Sequence, residues 1–449
     1  MLTLVLIWFA VAVSLTLLSR RSSAGLPLAY FLGLSLIHVP GAVLELNYEE
    51  WEWTSVGFEQ TVIGMVSFLT AVVIAKYAAW RRHPHQDTDI WRPRLTRHGV
   101  SALDRLARRY GLLGGVAYFV VMPFVGAVAT ATAIISSLGS LMMVGFCLRL
   151  WVARECQDQL KFWSTIALLP LLPFATLVQG GFLGFGTYWV LAIACFLFAQ
   201  SKRRLGYYLL VPAGIFVGMS VFVNYMAARD DIREVVWSQQ SSIGDRFERV
   251  RGVFSAFEWI DTANSKHRRA IFERLNQNWL IGAAVENLEA GTVKYASGAT
   301  LGEVIIALVP RAIWPNKPAV GGGGTVVSDF TGIEFAEDTS VGAGQVFEFY
   351  INFGTVGVIG GYLLLGWVFG WMDFWVIEFL RRGDQRRFLF WFMISLALLQ
   401  PGGNLLEIVV SAAASAITAY GLGHFLHRRW PAGDIANVSR LPLGSQDSA

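Results

Sequence analysis

Long apolar blocks separated by short polar breaks fill most of the chain. A helix needs about 20 mostly apolar residues to cross a bilayer. By that measure spans are predicted near residues 2–18, 25–45, 58–79, 111–128, 131–151, 162–179, 181–200, 205–226, 346–370, 388–403 and 405–425. The first block has no basic leader and no small-residue cleavage site, and a second follows at once, so it reads as a retained span. The predicted fold is an all-α polytopic membrane protein with about eleven transmembrane helices. Residues 1–226 hold helices one to eight, 227–345 form one large loop, 346–425 hold helices nine to eleven, and 426–449 form a tail.

Composition agrees: of 449 residues 54% are hydrophobic and 15% charged, and mean hydropathy is +0.49, which excludes an ordinary soluble globule. The seventeen Trp suit interfacial belts. A net charge of +4 reflects basic loops and gives no reason to expect nucleic acid. Cys147, Cys156 and Cys195 show neither paired nor CxxC spacing and read as small core residues.

Basic residues set the expected orientation. Arg20/Arg21, the stretch from Arg81 to Arg109, Arg149/Arg154/Lys161, Lys202/Arg203/Arg204, Arg381/Arg382/Arg386/Arg387 and Arg428/Arg429 all fall on one side, the expected cytoplasm. The N-terminus is then periplasmic and the C-terminus cytoplasmic, in a bacterial inner membrane. The large loop becomes periplasmic, and its length exempts it from the positive-inside rule.

A loop this long is usually functional. Phe247, Val250, Phe254 and Phe257, and again Ile271, Leu275, Asn278 and Trp279, recur at helical spacing, as in amphipathic helices on a membrane surface. The apolar run from Thr300 to Val309 is too short to span and could dip into the bilayer only if protein or water lined it. Gly321–Gly324 suggest a hinge or lid.

The string from Pro310 to Pro318 holds Arg311, Trp314 and Lys317 between three prolines. A preorganised Arg beside a Lys suits phosphate; the bland reading is an interfacial turn with snorkelling cations. Arg246, Arg249 and Arg251 form a second cluster, for which a solvated face with internal ion pairs serves as well. Arg274 borders the apolar stripe and is the stronger candidate. Glu348 and Asn352 share a face at the start of the ninth span, where Glu348 is either functional or a water-boundary marker. Gly357, Gly361, Gly366 and Gly370 have the spacing of close helix packing. His38 reads as a hydrogen-bonded core histidine, and His83 and His85 as loop residues without co-ligands. No GxxxxGK[ST], GxSxG or HExxH motif occurs.

Together, Pro-Arg-x-x-Trp-Pro-x-Lys-Pro in the large loop, Glu-x-Tyr-x-Asn-Phe-Gly-x-x-Gly at the next span and Arg-Leu-Asn-Gln at Arg274–Gln277 resemble the O-antigen polymerase (Wzy-like) family of oligosaccharide repeat-unit polymerases. The resemblance implies a GT-C-like membrane glycosyltransferase. It would move a growing glycan from undecaprenyl pyrophosphate onto a lipid-linked repeat unit, needing no metal or cofactor. A flippase and a chain-length regulator are the protein partners it implies. Arg311, Lys317 and Arg274 would then face the pyrophosphate, and Glu348 would serve as base or acceptor guide. Arg246, Arg249, Arg251, Trp314 and Asn352 would add contacts.

Three alternatives share the membrane plan. An O-antigen ligase would be expected to use a loop histidine, and only His267 is available. A metal-dependent transferase could use Glu50-Trp51-Glu52 as a diacidic pair. A lipid-linked glycan transporter would call for charges at mid-membrane, which are scarce in these spans.

Overall fold

A computed structural model of the chain describes residues 1–19, 23–48, 53–82, 97–125, 129–201, 205–237, 243–255, 257–309, 313–314, 316–317, 323–335, 341–342 and 344–429. All regular elements among them are helical. The first are α1 (Leu2–Leu18), α2 (Leu26–Tyr48), α3 (Trp53–Arg82), α4 (Arg97–Val116), α5 (Ala129–Gly139) and α6 (Leu141–Glu155). Next come α7 (Gln159–Ile166), α8 (Leu171–Gly180), α9 (Leu183–Gln200) and α10 (Leu205–Ala227). The large loop holds α11 (Arg229–Trp237), α12 (Ile243–Ser255), α13 (Ser265–Leu275), α14 (Asn278–Glu289), α15 (Ala299–Leu308) and α16 (Gly323–Thr331). The chain then forms α17 (Gly344–Arg381), α18 (Gln385–Leu398) and α19 (Leu405–Arg429).

Among the described residues, eight stretches are long and apolar enough to cross a membrane: Leu26–Tyr48, Trp53–Arg82, Ala131–Glu155, Gln159–Gly180, Leu183–Gln200, Leu210–Ala227, Gly344–Arg381 and Leu405–Phe425. They match eight of the eleven predicted spans. The other three differ for separate reasons. The 2–18 block forms a helix of 17 residues, about 26 Å long against a core of about 30 Å. The 111–128 block is divided, because the amphipathic α4, with Arg105, Arg108 and Arg109, runs into a short irregular turn, Ala117–Phe124, that contains Pro123. The 388–403 block stops at Leu398, after only 14 helical residues, just before Pro401-Gly402-Gly403.

The bundle centres on α3 and α17. Gly366 and Gly370 lie against Phe68, Ala71, Val72 and Ala75, where any side chain would overlap α3. Tyr30 of α2 stacks on Phe68 and packs on Phe369 in the same layer. At one end Lys76 pairs with the fully buried Asp373 at 2.7 Å, and the Leu26 N–H donates to Asp373 at 2.9 Å. A carboxylate at a helix N-terminus facing an ammonium offsets the cost of burying both charges.

The predicted ninth span contains a fold-back. Phe353 and Gly354 leave the helix, Gly354 at φ +60° and ψ −152°, a conformation open essentially to glycine alone. Residues 344–352 therefore turn back along the rest of α17. Gly357 and Gly361 lie under the Phe349 backbone and ring, and Phe349 meets Tyr362 edge to face at 5.8 Å. This corrects the packing expected of the first glycine pair: it receives its own chain, and only Gly366 and Gly370 admit a neighbouring helix.

The large loop also differs from a simple cap. Its first half covers the bundle, with Ile232, Val236 and Val250 packed on Leu177, Leu183 and Tyr225, and Ile271 and Leu275 on Ile37 and Val223. Phe247 of the predicted stripe is exposed, so Val250 and Val253 carry the contact of α12 instead. The second half is built into the bundle. α14 is buried along most of its length, and Gly57 and Gly282 bring its backbone against that of α3 closely enough to exclude any side chain at either position.

Candidate functional site

Where the two halves of the loop meet, a buried polar knot fixes the chain. His38 precedes Pro40 inside α2. A proline bends a helix and turns carbonyls outward, and here the Ile37 carbonyl accepts from the Gln277 N–H at 2.9 Å. Asn278 Nδ2 donates to the His38 carbonyl at 2.7 Å and to Asn276 Oδ1 at 3.0 Å. Its Oδ1 lies 2.8 Å from His38 Nδ1 and accepts from Thr61 at 3.2 Å. Asn276 donates to Thr54 at 2.9 Å. All five side chains are buried; they bond to one another, and His38 Nε2 is left buried without a partner among the described residues. His38 is thus the hydrogen-bonded core histidine that its surroundings predict. The Arg274–Asn278 turn is clamped to α2 and α3.

Arg274 projects from the last turn of α13 toward α11. Desolvation by the surrounding protein holds its guanidinium below the ordinary value, and Arg229 lowers it further. Arg233 behaves alike: desolvation is the main cause, and Arg229 and Arg274 both lower it. Arg229 and Arg233 lie four residues apart on α11, and the charges of Arg229 and Arg274 both bear on Arg233. Arg229 is largely buried, with 17% of its side chain exposed, and pairs with the open Asp230 at 3.1 Å. Arg233 lies over the Phe182 ring at 4.7 Å, and the Tyr225 hydroxyl beside it donates to the Gly181 carbonyl at 2.9 Å. Concentrating cations in a partly dry setting costs free energy, which a bound polyanion would return.

Arg229 and Arg233 were invisible to sequence reasoning because Arg-Asp-Asp-Ile-Arg-Glu reads as a mixed-charge helix start. The usable signal was their i,i+4 spacing, which puts both on one face.

Glu348 sits elsewhere. It is buried, and its Oε2 accepts from the Leu405 N–H at 2.6 Å, capping α19 where the chain restarts after Pro401-Gly402-Gly403. Gln345 donates to the Gln400 carbonyl at 2.9 Å and also to that of Gly403. Broken backbone next to a span needs such internal partners. Glu348 also lines a small open cleft with Thr300, Glu303, Val327, Phe347 and Asn404. Among the described residues no Arg or Lys lines it. The cleft and the arginine group are linked through the clamped turn, since Gln277 donates to the Gly342 carbonyl.

The other predicted residues are engaged locally. Asn352 donates to Thr300 Oγ1 and to the Glu348 carbonyl, both at 2.7 Å, and accepts from the Gly298 N–H at 2.8 Å. Lys317 donates to the Val309 and Ala307 carbonyls at 3.0 and 3.2 Å, closing the C-terminus of α15. Arg249 pairs with Asp231 at 2.8 Å and Arg251 with Glu248 at 3.4 Å, both at the surface. Arg246, on the same helix, is half-buried, and Trp314 is exposed. Arg311, the Glu50-Trp51-Glu52 pair, His83, His85 and the tail beyond residue 429 lie outside the described residues. His267 accepts from the Asp261 N–H at 3.1 Å and faces Glu258 at 3.4 Å.

No family model, curated protein or solved structure matches the chain.

Proposed function

We propose that this multi-pass membrane protein is a glycosyltransferase that extends a polysaccharide from a polyprenyl pyrophosphate donor, with Arg229, Arg233 and Arg274 holding the pyrophosphate. The observation that carries the proposal is the gathering of three guanidiniums on α11 and α13, beside a turn clamped to the bundle. In the reaction an acceptor sugar hydroxyl attacks the donor anomeric carbon and the bond from that carbon to the phosphate oxygen breaks. The electron pair leaves on the pyrophosphate, and the hydroxyl proton passes to a nearby carboxylate. Asp230 and Glu273 are the carboxylates in the field of Arg274. Fixed guanidiniums stabilise the charge developing on the leaving group.

Glu348 belongs to the acceptor side, where its cleft holds the incoming lipid-linked repeat unit. The periplasmic placement of the loop and the Wzy-like reaction rest on the basic-residue asymmetry and the motif resemblance given above. His267 favours a polymerase over a ligase, because both its ring nitrogens face the turn around Asp261 rather than the arginines. The test is deletion of the gene followed by gel analysis of surface glycan. Single-repeat products with the lipid-linked unit intact support a polymerase; complete loss of glycan from the lipid A core supports a ligase; an unchanged glycan ladder removes the proposal.

A further inference from the structure

α15 is an apolar helix that meets the bundle through Leu301 and Val304 and leaves Ile305 and Leu308 open. Its ten residues include one charge, Glu303, which lines the Glu348 cleft, and none of the ten is buried. Ile305 is 70% exposed, and Ile313, just beyond the helix, is 76% exposed. A ten-residue helix is too short to persist in water on its own, and two open isoleucines there forfeit most of the stabilisation that burial would supply.

Both ends of α15 are closed by side chains instead of solvent. Asn352 holds the Gly298 N–H and Thr300 at one end, and Lys317 holds the Ala307 and Val309 carbonyls at the other. Terminal backbone groups partnered from within the protein suit a hydrocarbon surrounding. Phe353 and Val356, in a stretch long and apolar enough to cross a membrane, are also exposed, Val356 at 77%. Gly298 lies within contact distance of the Phe353 ring. Trp314, exposed beside Ile313, has the amphipathic ring favoured at headgroup depth.

We infer that α15 is a monotopic helix embedded in the acyl region of one leaflet, with Ile313 and Trp314 at the interface, and that it forms the lipid-side wall of the Glu348 cleft. A lipid-borne substrate would therefore approach that cleft from the membrane plane rather than from bulk water. The embedding stands whether or not the protein transfers sugars.

Power-saturation electron paramagnetic resonance tests it on the full chain in phosphatidylethanolamine–phosphatidylglycerol vesicles. Nitroxides are attached singly at Ile305→Cys, Val356→Cys and Arg251→Cys, in a Cys156→Ser background, because Cys147 and Cys195 are buried. The expected result is that position 305 ranks with position 356, more accessible to oxygen than to a water-soluble nickel chelate. A label at 305 that ranks with the surface position 251 overturns the inference. Leu308→Cys, 44% exposed on the same helix, provides the same comparison if Ile305→Cys does not fold.

Discussion

Two groups of arginines lie in the same loop, and they differ in their like-charged neighbours: Arg229 also pairs with an open aspartate, but Arg233 feels two further guanidiniums. Arg249 and Arg251 stand at the surface and are matched to Asp231 and Glu248. Arg229 is largely buried and Arg233 half-buried, and Arg233 lies in the field of both Arg229 and the more open Arg274. Exposed, matched pairs contribute little to stability and need no ligand. Cations gathered against their own repulsion call for a polyanion. What separates the groups is the clamp beneath Arg274, since a turn tied to α2 and α3 through Asn276, Gln277 and Asn278 cannot move aside to relieve the charge.

The sharpest way to break the contrast is Arg233→Ala with Arg274→Ala. Two lost charge-assisted contacts to pyrophosphate, at about 1.5–3 kcal/mol each, predict at least about a hundredfold fall in polymer yield in cells. Unchanged yield would make the two groups equivalent. A smaller effect is expected from Glu348→Gln, which keeps the shape of the cap on α19 and removes its charge: about a tenfold loss in yield while the thermal midpoint in detergent drops only slightly. If the midpoint collapses along with activity, Glu348 is a cap and nothing more.

Asn278→Leu probes the clamp itself. It removes the donor to the His38 carbonyl and to Asn276 Oδ1 in the core, while Thr61 keeps the Gly57 carbonyl, and should cost about 2 kcal/mol of stability, read as a lower thermal midpoint. Asn278→Asp keeps the acceptor but loses the donor to His38, and should fall between the two. The smallest effect belongs to Arg249→Ala with Arg251→Ala, for which polymer yield should stay within about twofold and stability within about 0.5 kcal/mol.

Much of the architecture was legible from hydropathy, because a span must be apolar over its whole length. Two predicted spans are interrupted where local chemistry outweighs average hydropathy: by Pro123 after α4, and by Pro401-Gly402-Gly403 after α18. The fold-back at Gly354 was hidden for a different reason, since a single glycine in an apolar run looks like packing until its φ is seen. At the site, Arg274 was found by its position next to an apolar stripe. Its partners Arg229 and Arg233 were masked by neighbouring aspartates. Asn352 and Lys317, expected from sequence to contact substrate, close the two ends of α15. Residues that satisfy buried backbone and residues that bind a ligand draw on the same polar types, so only geometry tells them apart.

The central claim is that Arg229, Arg233 and Arg274 form a pyrophosphate site. Its most direct test is equilibrium binding of a polyprenyl pyrophosphate to the full-length protein in nanodiscs, with the polyprenyl monophosphate as a reference. Arg233→Gln with Arg274→Gln should weaken pyrophosphate binding by at least about tenfold, equivalent to about 1.4 kcal/mol, while Arg249→Gln with Arg251→Gln leaves it unchanged. Equal affinity in the wild type and in both double variants would contradict it.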